Sequence, residues 1–221
     1  VASPCYRTVK EGFRLAPGPD EVVVNLGDSP FRVGMKKLGH DGVQHCFLDC
    51  PRFFDRDSIY NFPDDGERFV LFSKGVLACL KRLDWRPDII HSNDWQTALI
   101  PALLKTVHAD DPFFSSTASV FSIHNIQYQG VFPPHFMELA GLPWDEFHFE
   151  KTEFYGELNF MKTGITYADR VNTVSRSFMD EIQTPEYGYR LDPHIAAHRQ
   201  KLHGIINGID YEKVDPYSNV N

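Results

Sequence analysis

Asp88-Ile89-Ile90-His91-Ser92-Asn93-Asp94-Trp95-Gln96-Thr97 is the stretch that decides the fold of this 221-residue chain. Its first four residues are a short apolar run after Pro87, as in a buried strand, and residues 95–105 then take up a helical pattern. A brief strand running straight into a helix is half of a parallel βαβ unit. Downstream the alternation repeats. Residues 118–123 read as a buried strand, 159–168 as a helix and 170–174 as a strand. Ser175 is an N-cap candidate for the next helix, and 202–206 is the last strand. Upstream, Phe69, Phe72, Val76, Leu80 and Leu83 recur three to four residues apart, which makes an amphipathic helix from Gly66 onward. Earlier still, residues 21–26 and 31–36 flank Gly27-Asp28-Ser29-Pro30 as a hairpin, 43–48 is a strand, and 53–65 is a loop. Strand–helix alternation from Gly66 predicts an α/β fold with a mainly parallel sheet flanked by helices. In such sheets ligands bind beyond the carboxyl ends of the strands.

Bulk properties narrow the function. The net charge is −8, from 22 basic and 30 acidic side chains. No dense Lys/Arg cluster suggests a nucleic-acid surface. No apolar run approaches the roughly 20 residues of a membrane span. No secretory signal is visible at Val1–Tyr6. Cys5, Cys46, Cys50 and Cys79 read as free thiols, buried or half-buried, in a reducing compartment, because no second Cys/His pair accompanies Cys46 and Cys50 at ligand spacing. No dinucleotide or Walker phosphate loop, Gly-x-Ser-x-Gly elbow or metal triad is present.

Four polar segments leave predicted strands. In His91-Ser92-Asn93-Asp94-Trp95-Gln96-Thr97, Asp94 is either a plain helix cap or a reacting carboxylate, and Trp95 suggests a ring that stacks on a sugar. His124-Asn125-Ile126-Gln127-Tyr128-Gln129-Gly130 crowds five hydrogen-bonding side chains into seven positions, which suits a hydroxylated ligand. Residues 159–175 are mostly structural, with Lys162 and Asp169 able to pair or to cap the helix end. In Gly204-Ile205-Ile206-Asn207-Gly208-Ile209-Asp210, Asn207 shapes a turn or holds a ligand. Glu186-Tyr187-Gly188-Tyr189 is a polar aromatic loop that either lines a carbohydrate groove or closes over the core.

HSNDWQT, IHNIQYQG, NFMKTGITYADRVNTVS with TPEYGYRLD, and GIINGID, in this order, resemble the glycogen and starch synthases over about residues 88–210, and residues 1–83 resemble the same family more weakly. The resemblance implies a Rossmann-like domain, the N-terminal, acceptor-side half of a GT-B fold. Residues 1–221 would be that domain without its first strand-loop segment, and the C-terminal nucleotide-binding domain would lie outside the chain. The implied reaction transfers glucose, with retention, from ADP-glucose or UDP-glucose to the non-reducing end of an α-1,4-glucan. It needs no metal and no cofactor beyond the donor substrate. The implied partners are that glucan and the nucleotide sugar, with no nucleic acid or membrane, in the cytoplasm or, in a plant, the plastid. Asp94 and His124 would be catalytic, and Trp95, Asn125, Tyr128, Gln129 and Asn207 would bind substrate. The family's Lys-Thr-Gly-Gly-Leu loop and its second-domain basic residues are not among these 221 residues, so the chain alone is expected to show little transferase activity. A different reading is a catalytically dead glucan-binding module, and a third is a related transferase with another acceptor, such as a sucrose-type enzyme.

Overall fold

The structure, a computed structural model, describes residues 1–18 and 21–210. Residues 211–221 of the expected domain lie outside the described ones. The chain opens with β1 (Ala2–Pro4), α1 (Arg7–Gly12), β2 (Ala16–Pro17), β3 (Val22–Leu26), β4 (Ser29–His40) and β5 (Val43–Asp49). β3 and β4 form the expected hairpin, with Val22 opposite Val33 and Leu26 opposite Ser29. Alternation in β3 places Val22, Val24 and Leu26 inward and exposes Val23 and Asn25. β4 also pairs antiparallel with β5 and β2, and β1 lies parallel to β5. This first part is therefore mostly antiparallel.

Next come α2 (Pro51–Phe54), α3 (Asp65–Arg82), β6 (Ile89–Asn93), α4 (Asp94–Thr97), α5 (Leu99–Lys105) and β7 (Ala118–Ile123). The stretch expected as loop from Phe53 begins inside α2, where Pro51 supplies the first helical position and Phe53 and Phe54 are buried. α3 is the expected amphipathic helix and buries Phe69, Phe72 and Val76. The helix expected over 95–105 breaks at Ala98. Pro101 has no N–H to return to the Thr97 carbonyl, so a continuous helix would lose that bond.

The chain ends with β8 (Val131–Phe132), α6 (Phe136–Ala140), β9 (Glu153–Phe154), β10 (Glu157–Asn159), α7 (Phe160–Tyr167), β11 (Arg170–Thr173), α8 (Arg176–Glu181), α9 (Asp192–Ala197) and β12 (Leu202–Gly204). The strand order β12-β11-β7-β6 makes a four-stranded sheet in which all pairs are parallel. β8, β10 and β9 form a small antiparallel sheet inserted after β7. Ser175 caps α8, its hydroxyl accepting from the Phe178 amide. Lys162 and Asp169 do not pair. Lys162 Nζ donates to the carbonyls of Phe149 and Glu153, while Asp169 sits 2.8 Å from Lys105 and accepts from the Ser119 amide and hydroxyl. On a helix, positions seven apart do share a face, but each of these groups meets a nearer partner on a neighbouring element.

The core runs from the β3–β4 hairpin through α3 to the parallel sheet, α5 and α7, and includes Phe54, Leu71, Leu103, Phe121 and Phe160. The four cysteines are buried and free, and burial pushes the Cys79 thiol up to about 12. Among the described residues β6 and β1 are sheet edges, and between them runs an apolar slot of about 430 Å³ lined by Leu48, Val76, Ile90 and Ile100.

His194 of α9 is a half-buried base. Burial, aided by the charges of His198, Lys162 and Lys201, holds its pKa down to about 3. The unfolded imidazole takes up its proton near pH 6.5. Between those values the unfolded state binds more protons, so stability falls as pH drops from about 6.5 to about 3. Melting temperature is therefore expected to fall between pH 7 and 5, and less steeply in His194→Asn. Parallel curves for the two proteins would refute this.

Candidate functional site

The carboxyl edge of the parallel sheet gathers the polar motifs. β6 ends at Asn93 and the chain turns at once into α4 through Asp94, whose φ of +53° is left-handed. Asp and Asn tolerate that region better than other side chains do. Asp94 does not serve as a cap on its own helix. Its Oδ1 reaches across to the next loop and accepts from the backbone amides of His124 (2.8 Å) and Asn125 (3.3 Å). Oδ2 has no partner among the described residues. The His124 ring is exposed and its Nε2 lies 3.0 Å from Asn93 Oδ1. Asn93 is pinned in turn by Thr97, whose hydroxyl accepts from the Asn93 amide (2.6 Å) and donates to its carbonyl (2.8 Å). Asp94, His124, Asn125 and Asn93 thus form one unit at the ends of β6 and β7.

A polar chain runs beneath them. His91 Nε2 lies 2.6 Å from Ser122 Oγ, and Ser122 Oγ donates to Asn172 Oδ1 at 2.7 Å, crossing three parallel strands. Burial, then the nearby His124, lowers the His91 pKa and favours its neutral ring. Sequence reading missed Asn93, Thr97 and this chain. Thr97 four residues after Asn93 was the available signal, but the link from His91 to Asn172 needs the strand register, which motif spacing does not reveal.

The other candidates divide. Tyr128 is 63% exposed, with its ring free to meet a ligand. Asn125 Oδ1 accepts from the Gln127 amide and shapes the loop. Gln129 is buried with both ends of its amide engaged: Nε2 donates to the Tyr189 carbonyl (3.0 Å) and Oε1 accepts from Asn159 Nδ2 (2.6 Å). Trp95, expected to stack on a sugar, is partly buried: its ring packs against the core at 5.0 Å from Phe69, 5.7 Å from Phe132 and 6.4 Å from Phe160, which removes apolar area from water. Asn207 is exposed and has no side-chain hydrogen bond among the described residues. It follows β12, which stands three strands from β6, or about 14 Å at strand spacing. Asn207 therefore shares the edge with Asp94 and His124 without touching them.

The 124–130 loop is welded to α7. Phe160 N and Met161 N donate to the carbonyls of Gly130 and Gln129, and Lys162 N donates to Asn159 Oδ1. Three amides that a helix start leaves unpaired are satisfied this way. Gly130 is required by its φ of +63° and by space, since a Cβ would lie 2.4 Å from the Trp95 ring.

The molecule is thus an α/β domain whose parallel sheet, flanked by helices, carries polar loops at its carboxyl edge. The catalytic domain of Starch Synthase IV from Arabidopsis thaliana superposes with a TM-score of 0.89 at 26% identity, over 98% of this chain and 46% of that one. A profile of the starch synthase catalytic domain matches residues 1–197. Glycogen synthase from Moorella thermoacetica is 48% identical over 216 residues, 98% of this chain and 44% of the relative. Glycogen synthase from Thermotoga maritima is 47% identical over 189 residues, 86% and 39%. The chain belongs to the starch synthase catalytic-domain family. It spans less than half the length of these relatives.

Proposed function

We propose that this chain is the N-terminal, acceptor-side domain of a retaining glucan synthase, which moves glucose from ADP-glucose or UDP-glucose to the non-reducing end of an α-1,4-glucan. The reading rests on family membership and on one observation: the Asp94 carboxylate holds the His124 and Asn125 amides at the carboxyl edge of the parallel sheet. The Arabidopsis relative's structure is bound to ADP and acarbose, a nucleotide and an oligosaccharide analogue, which supports both substrate classes.

Glucosyl transfer with a diphosphate leaving group develops positive charge at the anomeric carbon. A preorganised carboxylate and oriented dipoles stabilise that charge without rearranging during the step. Asp94 keeps Oδ2 and its negative charge at the edge, while Oδ1 fixes the backbone that carries His124. His124, oriented by Asn93, is placed to hydrogen-bond a hydroxyl of the transferred glucose. Tyr128 presents a ring for the sugar, Asn125 and Gln129 hold the loop, and Asn207 approaches from β12. Trp95 supports all of this from beneath.

The test is transfer by the intact enzyme of labelled glucose from each donor to glycogen. His124→Ala is expected to lower kcat/KM by two orders of magnitude or more, the scale of a lost transition-state contact. A near-normal rate would remove His124 from the site. Absence of transfer from both donors, with glycogen still bound, would favour the binding-module reading.

A further inference from the structure

Away from the Asp94 cluster lies a second cavity, of about 690 Å³, between the β9–β10 hairpin, the start of α7, and α9. Two tight turns meet at its rim. Phe154 pairs with Glu157, so Tyr155 and Gly156 are a two-residue hairpin loop, with φ of +53° and +87°. Tyr189 and Arg190 are the central residues of a second turn, closed by Leu191 N to the Gly188 carbonyl at 2.8 Å, with φ of +48° and +69°. Turns with two left-handed central residues call for Asn, Asp or Gly. Here three of the four positions carry a large side chain, at a cost of roughly 1–2 kcal/mol each for a left-handed L-residue. Strain of this kind concentrates where a side chain must be presented for function.

The side chains presented are aromatic and exposed. Tyr155 is 70% exposed and Phe149, on the same cavity, 65%. Arg190 lies 4.6 Å over the Tyr155 ring, which braces the ring from one side. The cavity's formal charge balances: Glu150 and Glu153 against Lys162 and Arg190, with burial lowering the pKa of both His194 and His198 and favouring their neutral rings. Lys162 is further spent on two carbonyls. That balance disfavours a phosphate or a nucleotide and fits a neutral, polyhydroxylated ligand, whose apolar ring faces stack on aromatics and whose hydroxyls meet donors and acceptors. The volume is that of an ordinary ligand site.

We infer that the cavity rimmed by Tyr155, Phe149 and Arg190 is a second carbohydrate site, which holds a remote stretch of the α-glucan chain. The choice of glucan among neutral saccharides rests on the function proposed above. Gln129 ties this site to the reaction loop, because its amide holds the Tyr189 carbonyl.

The test is retention of the intact enzyme in native gels containing glycogen, alongside transfer to maltotriose. Tyr155→Asn removes the ring and installs a residue the turn prefers, so its melting temperature should be unchanged or higher. Glycogen affinity is expected to fall about five- to tenfold in Tyr155→Asn and in Phe149→Ala, with transfer to saturating maltotriose kept within about twofold, the size of a lost stacking contact. Wild-type retention in both variants overturns the inference, whatever the transfer rate. Loss of retention in an enzyme that transfers no glucose would uphold the second site and sink the proposed reaction. An intact protein that never binds glycogen sinks both.

Discussion

Asp94→Ala in the intact enzyme is expected to lower kcat by about 100- to 1,000-fold, the loss that follows when one preorganised charge is taken from a transition state. Two effects combine in that variant. The negative charge at the sheet edge disappears, and the amides of His124 and Asn125 lose their acceptor, so the loop that carries the imidazole loosens. Alanine also fits poorly at φ +53°, a strain of about 1–2 kcal/mol. Asp94→Asn separates the terms. Asparagine tolerates the same backbone and offers an oxygen to the same amides, but carries no charge. Its melting temperature is expected to match the wild type while kcat still falls about 100-fold. Should Asp94→Asn turn over normally and only Asp94→Ala fail, the carboxylate is a clasp and takes no part in the reaction.

Gly130→Ala has the largest expected effect on stability, about 3 kcal/mol or more. The sum is strain of about 1–2 kcal/mol for alanine at φ +63° and overpacking of about 1–3 kcal/mol against Trp95. The damage also spreads toward the site, because the Gly130 carbonyl accepts the first amide of α7 and the Gln129 carbonyl the second. Chemical denaturation would measure it. A change below about 1 kcal/mol would mean that the Trp95 ring shifts freely, which its contacts with Phe69, Phe132 and Phe160 argue against.

Strand–helix alternation made the parallel sheet readable, since β7 coincides with the apolar run 118–123 and Ser175 caps its helix as its position suggested. The break at Ala98 was less visible, because a proline three residues into a helix can be tolerated and only the orphaned Thr97 carbonyl decides otherwise. At the site, sequence placed Asp94 and His124 at strand ends. It did not show that the carboxylate of one motif binds the backbone of the other, which depends on the pairing of Asn93 with Ser122. The surroundings of Trp95 were hidden for a physical reason: the three phenylalanines that pack against its ring come from α3, β8 and α7, which are distant in sequence. The Tyr155 and Arg190 turns carried no such signal, because neither has the Asn-Gly wording that announces a left-handed turn.

The bond from Asp94 to the loop after β7 gives HSNDWQT and IHNIQYQG a shared genetic fate. Losses at the two motifs should overlap instead of multiplying: once Asp94 is gone, removing the imidazole of His124 has less left to spoil. For anyone engineering or comparing such chains, the two motifs behave as one heritable character, and a change in either is best interpreted in the background of the other.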